Sequence, residues 1–241
     1  MGAIGQIPSL EGDGGERERQ RTAVAVATAE FLLRLRARGI AELDVLRALE
    51  QVPRQMFVPH RYADLAARDV ALPIGCGQTM PEPFFLARML EAMKLQPTHR
   101  VLEIGTGSGY LTAVLGRLTR EVLSIERFQS LVIEARTRLA GLRISNAGVV
   151  WGDGLVVPPA TGPFDRIVVE ALVEDLSPSW LDVLTPDGMI IAGRPGPARS
   201  RTGRPSQQLM RIAGDGAGGW SEEPIVTSRL QPLVPGVARG L

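Results

Sequence analysis

The stretch Val101-Leu-Glu-Ile-Gly-Thr-Gly-Ser-Gly-Tyr110 decides the fold of this 241-residue chain. Its first residues are mostly apolar, which is typical of a buried parallel strand, and the glycines at 105, 107 and 109 then predict a tight turn. Residues 111–120 are predicted to form the helix that follows. A strand, a glycine turn and a helix in this order present free backbone N–H groups at the helix N-terminus, where anionic or strongly polar groups bind.

The spacing of the glycines narrows the class of ligand. A dinucleotide-binding turn has the pattern G-x-G-x-x-G, whereas here the third glycine comes one residue early, as G-x-G-x-G. The carboxylate of Glu103, just before the turn, is unfavourable beside a pyrophosphate but favourable beside an ammonium group or a sulfonium-bearing amino acid. The turn therefore argues against a nicotinamide dehydrogenase.

Two further predicted strands end in acidic residues. Residues 122–126 end in Glu126, about 20 residues after the glycine turn, where a nucleotide-binding α/β fold places a carboxylate for ribose hydroxyls. Residues 149–154 carry Asp153 between two glycines, and this side chain is expected to reach an adenine edge. The alternative is that these are ordinary turn residues of an α/β domain.

Strands and helices alternate along the middle of the chain. The predicted strands are 101–104, 122–125, 149–151, 166–170 and 188–192, and the predicted helices are 110–119, 129–140 and 178–184. This order predicts an α/β fold with a doubly wound parallel sheet and ligands at the carboxyl ends of its strands. Two later apolar stretches, 208–213 and 225–230, predict a closing antiparallel pair.

The domain organisation follows from these elements. Residues 1–15 are expected to be a disordered tail, and residues 16–241 a single domain. Its parts are an N-terminal helical segment (16–95, with helices 16–38, 41–51 and 83–95), a cofactor-binding core (96–192), a basic flexible loop (193–206) and C-terminal strands (207–241). A second interpretation is that the loop, with Arg194, Arg199, Arg201 and Arg204, forms a basic lip that attracts acidic peptide substrates.

In helix 83–95, the apolar stripe of Phe85, Met89 and Met93 predicts core packing.

Composition excludes several classes of protein. The net charge of +1 provides no general field for nucleic acid or anionic membranes, and the single cysteine, Cys76, rules out an intrachain disulfide. Glu30 interrupts the N-terminal apolar run and arginines follow it, which favours a helix over a signal peptide. No stretch approaches the ~20 apolar residues that span a bilayer. We expect a cytoplasmic monomer that binds neither nucleic acid nor membrane.

Six segments carry a more specific resemblance. They are 52–59 (VPRQMFVP), 72–79 (LPIGCGQT), 103–110 (EIGTGSGY), 152–154 (GDG), 163–167 (PFDRI) and 230–236 (LQPLVPG). In these segments, which extend from about residue 28 to residue 236, the chain resembles the protein-L-isoaspartate (D-aspartate) O-methyltransferase family. The resemblance implies a class I S-adenosylmethionine-dependent methyltransferase fold, which is Rossmann-like. It also implies S-adenosyl-L-methionine as cofactor and, as substrates, proteins or peptides whose isoaspartyl side-branch carboxylate is methylated in protein repair.

The resemblance and the strand ends together define a candidate cofactor site. Its residues are Glu103, Ile104, Gly105, Thr106, Gly107, Ser108, Gly109, Glu126, Arg127, Asp153, Gly154 and Gln207. No metal is expected, because no pair of histidines or cysteines has the spacing of metal ligands.

The chemistry of methyl transfer explains the absence of an obvious general base. A carboxylate nucleophile is already ionised at neutral pH, so catalysis can come mainly from positioning the reactants. His60 and His99 are accordingly expected to be exposed structural residues, and Asp64 and Asp69 to be surface or capping residues.

The acceptor side departs from the family at two positions. After Gln78 and Thr79 the family has an aliphatic residue and a serine, where this chain has Met80 and Pro81. A proline donates no hydrogen bond, so Pro81 marks the position of the family serine without its function. The family has threonine where this chain has Glu170. This glutamate either repels an acceptor carboxylate, unless an arginine pairs with it, or is a salt-bridged structural residue.

Three hypotheses therefore remain. Thr79, Pro81 and Glu170 are the candidate acceptor-side residues of an isoaspartyl methyltransferase, which is the leading hypothesis. Pro81 and Glu170 favour a methyltransferase with another peptide or small-molecule carboxylate as acceptor. The third hypothesis is a homologue that binds the cofactor with little or no activity, whose basic loop binds a partner.

Overall fold

The computed structural model describes residues 12–199, 205–214 and 219–240. Its helices are α1 (Gly12–Ala37), α2 (Leu43–Gln51), α3 (Pro83–Ala92), α4 (Tyr110–Leu118), α5 (Gln129–Gly141) and α6 (Pro178–Asp182). Its strands are β1 (Leu72–Pro73), β2 (Thr79–Met80), β3 (Arg100–Ile104), β4 (Glu121–Glu126), β5 (Ala147–Trp151), β6 (Phe164–Leu172), β7 (Leu184–Arg199), β8 (Pro205–Gly214) and β9 (Trp220–Thr227). Short 3-10 helices lie at Arg54–Phe57, His60–Leu65, Gly75–Gly77 and Pro159–Thr161.

A seven-stranded sheet forms the centre of the molecule, in the order β5-β4-β3-β6-β7-β8-β9. The strands from β5 to β7 pair in parallel, and β8 and β9 close the sheet as antiparallel strands. The strand order reverses between β3 and β6, so a crevice opens at the carboxyl ends of these two strands. The predicted fold class, with its closing antiparallel pair, is confirmed.

The sheet is buried on both faces. Val101 and Leu102 are neighbours on β3, yet they belong to separate hydrophobic clusters, because successive side chains of a strand point to opposite faces. The N-terminal helices contribute to one of these clusters. Phe85, Met89 and Met93 are all buried in it, which confirms that the stripe on helix α3 is core.

Part of the segment that was predicted to be a disordered tail is helical. Helix α1 begins at Gly12, so residues 12–15 are helical where a disordered tail was expected. Residues 1–11 lie outside the described residues.

The predicted basic loop at 193–206 is for the most part a β-hairpin, so that prediction was wrong. Strand β7 runs on to Arg199, and Arg194 pairs with Gln208 of β8. Ladder hydrogen bonds to β8 satisfy backbone groups that a free loop would leave to water. The side chain of Arg194 donates to the carbonyl of Glu174 and pairs with Glu222, so this arginine of the proposed lip is already bound within the protein. Residues 200–204, with Arg201 and Arg204, lie outside the described residues.

Of the histidines and aspartates expected to be exposed or capping residues, all but His99 have the predicted environment. His60 and Asp64 are exposed, as expected. Asp69 accepts a hydrogen bond from the Phe84 backbone N–H at 2.8 Å, which confirms the capping alternative at the start of α3. The expectation that His99 is exposed was wrong: it is buried, its Nδ1 accepts from the Gln96 backbone N–H, and burial lowers its pKa.

Within the described ranges, none of the helices combines the length and the apolar character needed to cross a membrane. The same residues contain no group of three or more histidine, cysteine or acidic side chains placed to hold a metal ion.

Candidate functional site

The main cavity lies at the carboxyl ends of β3, β4 and β6, where the strand order reverses. It is open to solvent, and its walls come from these strand ends and from the C-terminal segment. Five residues of the predicted cofactor set line it: Ile104, Gly105, Glu126, Arg127 and Gly154. Of the three strand ends predicted to form the site, those of β3 and β4 line this cavity together with the end of β6, and the third contributes Gly154.

A smaller side cavity adjoins the glycine turn. It is lined by the predicted acceptor residues Thr79 and Pro81, by Thr106, Gly107 and Ser108 of the turn, and by Tyr110. Glu170 lines both cavities. The predicted site residues therefore separate into a main cavity and a side cavity that share one side chain.

The turn between the cavities depends on backbone conformations that favour glycine. Gly105 has φ of 95° and Gly109 has φ of 86°, and Gly109 is the N-cap of α4. L-residues with a side chain rarely adopt this left-handed region. The open turn predicted from the glycine spacing is therefore present, and α4 begins directly after it.

Glu126 is held by backbone donors at the edge of the main cavity. Its Oε2 accepts from the Gly107 N–H at 2.8 Å, and its Oε1 accepts from the Phe128 N–H at 2.9 Å. Burial nevertheless raises the pKa of this carboxyl group, while the backbone donors oppose that shift. Each carboxylate oxygen has more than one acceptor site, so the group can still accept hydrogen bonds from a ligand's hydroxyls.

Glu103 lies behind the glycine turn rather than in a cavity wall. It is fully buried, and its Oε2 accepts from the Thr112 hydroxyl of α4 at 2.5 Å, whereas its Oε1 has no partner among the described residues. Burial raises its pKa to about 8. Its contact with the amino-acid part of a ligand stays a prediction.

Asp153 and Gln207 lie outside both cavities. The Asp153 carboxylate accepts from the backbone N–H groups of Leu155 and Gly236, at 2.9 and 2.6 Å. The Gln207 side-chain oxygen accepts from the Leu230 N–H at 2.8 Å. Both side chains therefore hold the C-terminal segment beside the main cavity, and their direct contact with a cofactor stays a prediction.

That C-terminal segment supplies lining residues that the sequence did not identify as part of a site. Gln231, Pro232, Leu233 and Val234 all line the main cavity. The only sequence signal for them was the resemblance of residues 230–236 to the family.

Glu170 occupies an irregularity of the sheet. Between Val169 and Leu172 the register of β6 against β7 shifts, so Glu170 and Ala171 form a bulge. Its Oε1 is buried without a hydrogen-bond partner, and no ion pair of Glu170 is found among the described residues. The described residues therefore do not support the interpretation of Glu170 as a salt-bridged structural residue. Burial, followed by the nearby charges of Glu103 and Glu126, raises its pKa well above the ordinary value.

Arg54 is a site-forming residue that sequence reasoning missed. It is buried, and its guanidinium donates to four backbone carbonyl oxygens, of Ala66, Arg68, Val70 and Pro81, at 2.9 to 3.4 Å. Burial lowers its pKa to about 10. A single cation thus fixes the segment that carries Pro81 against the side cavity. An arginine within the otherwise mostly apolar 52–59 segment was the available signal.

Comparisons with known families and sequences agree on one family. The family model described as protein-L-isoaspartate(D-aspartate) O-methyltransferase matches residues 27–196. The chain is 49% identical to the protein-L-isoaspartate O-methyltransferase 2 of Rhodopseudomonas palustris strain HaA2, over 88% of this chain and 94% of that protein. It is 43% identical to the protein-L-isoaspartate O-methyltransferase of Caulobacter sp. strain K31, over 85% and 91% of the two chains.

Two solved structures share the fold. A Plasmodium falciparum protein, described as a protein-L-isoaspartate O-methyltransferase in complex with S-adenosyl-L-homocysteine, matches with a TM-score of 0.70 at 22% identity, over 85% of this chain and 97% of that one. A second protein-L-isoaspartate O-methyltransferase matches with a TM-score of 0.71 at 23% identity, over 87% and 67% of the two chains. At this level of identity, the likeness bears on the fold.

Proposed function

The chain belongs to the protein-L-isoaspartate(D-aspartate) O-methyltransferase family, and we propose that it methylates the side-branch carboxylate of L-isoaspartyl residues in proteins and peptides, with S-adenosylmethionine as methyl donor. The observation that supports this most directly is the pair of adjoining cavities at the switch point of the sheet. One cavity has an acidic edge, formed by Glu126, that suits the cofactor, and the other lies between the glycine turn and the acceptor segment.

The residues of the main cavity fit this cofactor. Glu126 retains free acceptor sites beside the glycine turn, as the hydroxyls of a ribose require. Glu103 has a buried oxygen without a partner behind the same turn, which suits a cationic amino-acid group. In the proposed complex, Glu126 binds the ribose, Ile104 and Gly154 flank the nucleoside, and Glu103 stabilises the amino-acid end.

The reaction does not require a general base. S-adenosylmethionine supplies a methyl group on a sulfonium sulfur, and transfer replaces its C–S bond by a C–O bond while the sulfur becomes a neutral thioether. The acceptor carboxylate is already ionised at neutral pH, so the protein does not have to remove a proton. The two histidines fit this scheme, because His60 is exposed and His99 precedes β3, at the end of the strand away from the cavity. The protein's own contribution is to align the acceptor and to exclude water.

A different acceptor is the second candidate function, and the observation that favours it is the composition of the side cavity. Pro81 contributes no donor there, and Glu170 places a carboxyl group at the junction of the two cavities. Another peptide or small-molecule carboxylate would then replace the isoaspartyl group.

We further propose that the protein acts as a monomer in the cytoplasm.

Methyl transfer to matched peptides tests the proposed function. Peptides with isoaspartyl, aspartyl or asparaginyl at one position are incubated with labelled S-adenosylmethionine, and label should enter the isoaspartyl peptide as a base-labile ester. Gly105→Val should abolish both cofactor binding and transfer, because the glycine has φ of 95° and lies against Glu170. Gly148→Val is the matched control, since nothing lies within 4 Å of a Cβ at that position. Labelling of the aspartyl peptide instead would favour the different-acceptor function, and cofactor binding without labelling of any peptide would contradict the isoaspartyl function.

A further inference from the structure

The polar groups of the side cavity are not equally free to bind a ligand. The Thr106 hydroxyl lies 2.5 Å from the Ser124 hydroxyl, and the Ser108 hydroxyl donates to the sulfur of Met80 at 3.7 Å. Pro81 has no donor, and its carbonyl oxygen accepts from Arg54. These residues therefore leave few donors for an anionic acceptor.

Two of the residues that line this cavity, Tyr110 and Glu170, each have a buried polar atom without a hydrogen-bond partner among the described residues. The atoms are the Tyr110 hydroxyl oxygen and Glu170 Oε1. Tyr110 is 2% exposed, and its ring packs edge-on against Phe57 with the ring centroids 5.3 Å apart. Buried polar groups are nearly always satisfied, so two such atoms on residues of one cavity indicate a ligand that completes them.

The bulge in β6 explains how Glu170 reaches this place. A bulge bends its strand and redirects a side chain, and bulges are common beside active sites. Here it places Glu170 against Gly105, where a Cβ added to the glycine would lie 3.5 Å from that of Glu170. Glu170 thus stands where the main and side cavities meet, which is where methyl donor and acceptor must approach each other.

The charges around Glu170 favour its neutral form. Burial raises the pKa of Glu170, and the charges that Glu103 on β3 and Glu126 on β4 carry when ionised raise it further. Arg127 lines the main cavity with Glu170, but its guanidinium is directed to the Gly236 carbonyl oxygen and the Phe128 ring. Tyr110 also stays neutral, because burial raises the pKa of its hydroxyl. A protonated carboxyl group and a phenol are both donors.

We propose that Glu170, as a neutral carboxylic acid, and Tyr110, through its hydroxyl, form a two-donor site that binds the carboxylate of the methyl acceptor in the side cavity. The inference rests on the proposed function for the identity of the acceptor. Each of the two groups donates a hydrogen bond to the acceptor carboxylate. Hydrogen bonds to a charged group stabilise a complex more than hydrogen bonds between neutral groups. Glu170 is then an acceptor-binding residue, because its protonated carboxyl group attracts the acceptor carboxylate that an ionised Glu170 would repel. It also supplies the hydrogen-bond donor that Pro81 lacks.

Peptide binding without turnover tests the two-donor site. The protein saturated with S-adenosylhomocysteine is titrated calorimetrically with the isoaspartyl peptide, over a pH series from about 6 to about 10. Glu170→Leu and Tyr110→Phe should each weaken peptide binding about tenfold, or about 1.4 kcal/mol at 25 °C, while the affinity for S-adenosylhomocysteine changes much less. The matched controls are Glu174→Leu and Tyr62→Phe, which make the same kinds of change outside both cavities.

The pH series identifies the protonated form of Glu170. Wild-type affinity for the peptide should fall as pH rises, because an ionised Glu170 would face the acceptor carboxylate. In Glu170→Gln the amide remains a donor at every pH, so the part of this fall that belongs to Glu170 should disappear. Glu103 and Glu126 titrate in both proteins, so the difference between the two curves reports the titration of Glu170 together with its coupling to these two groups.

Methyl transfer measured in parallel separates the two proposals. If the peptide is methylated but Glu170→Leu and Tyr110→Phe bind it as tightly as the wild type, the two-donor site is wrong and the proposed function stands. If binding and its pH dependence follow the expectation but no methyl is transferred, the two-donor site stands and the proposed function fails. If the peptide does not bind at any pH, the two-donor site is overturned.

Discussion

The backbone N–H of Gly107 donates to Oε2 of Glu126 at 2.8 Å, and this hydrogen bond joins the glycine turn after β3 to the end of β4. The two residues are 19 positions apart in the chain, and parallel pairing of β3 with β4 brings them together. The middle of the turn is thereby anchored to the carboxylate that is placed to bind a ribose. Any change at Glu126 should consequently affect both the ligand contact and the geometry of the turn.

Replacing Glu126 should weaken cofactor binding without unfolding the protein. Each lost charge-assisted hydrogen bond costs about 1.5–3 kcal/mol, so Glu126→Ala should weaken S-adenosylhomocysteine binding by about tenfold or more. Glu126→Asp should lie between wild type and Glu126→Ala, because its carboxylate is one methylene further from the Gly107 N–H. Calorimetry measures the affinities, with the exposed Glu50→Ala as control. Unchanged affinity in Glu126→Ala would show that the ribose binds elsewhere.

Removing the Arg54 guanidinium should loosen the acceptor segment more than the cofactor site. Arg54→Met leaves the carbonyl oxygens of Ala66, Val70 and Pro81 without their donor. We expect a loss of about 1–3 kcal/mol in the free energy of unfolding and a higher KM for the isoaspartyl peptide. Denaturant titration and steady-state kinetics check the two effects, and Arg47→Met, whose ion pair with Asp44 is exposed, is the control. A loss of stability with an unchanged KM would mean that Arg54 supports the fold alone.

Protonation of Glu103 should make stability depend on pH. Its pKa is about 8 in the folded protein against an ordinary value of 4.5, so between these values the folded state binds more protons than the unfolded state. The free energy of unfolding should therefore be highest at low pH within this window and fall as pH rises through about 8. A difference of one pKa unit corresponds to about 1.4 kcal/mol. Denaturant titrations at several pH values should show a smaller fall in Glu103→Gln, whereas the exposed Glu50→Gln should behave as the wild type does. An equal fall in Glu103→Gln would place the proton on another group.

Restoring a serine at position 81 should increase isoaspartyl methylation. Pro81→Ser adds a hydroxyl and a backbone N–H at the side cavity, and a contact made in the transition state raises turnover more than it changes cofactor affinity. We expect kcat/KM to rise several-fold, which is the effect expected of one added hydrogen bond in the transition state. The affinity for S-adenosylhomocysteine should change little. Pro97→Ser, in an exposed turn before β3, controls for the loss of a proline. An unchanged kcat/KM would indicate that Pro81 is already compensated.

Combining Pro81→Ser with Glu170→Thr restores both family residues. If Glu170 obstructs the acceptor, the double variant should exceed Pro81→Ser in kcat/KM. If Glu170 is one of the two donors, the double variant should gain less than Pro81→Ser alone. The same methyl-transfer assay decides between these outcomes.

The sequence by itself determined the fold and the strand ends of β3 and β4 that line the main cavity. Residues 101–110 specify a strand, a turn and a helix through local properties, because buried strands need apolar runs and left-handed turns need glycine. The acidic end of β4 could be assigned from its distance along the chain, since parallel strands place their carboxyl ends at one edge.

Only the tertiary structure decided the acceptor side. Glu170, Tyr110 and Arg54 come from distant parts of the chain, and their burial and partners depend on packing that no local pattern encodes. The same holds for buried His99 and for the extension of β7 to Arg199, where long-range pairing with β8 overrode a glycine- and proline-rich sequence typical of a loop. Whether Glu170 carries a charge follows from burial next to two other carboxyl groups, and that proximity exists only in the folded protein.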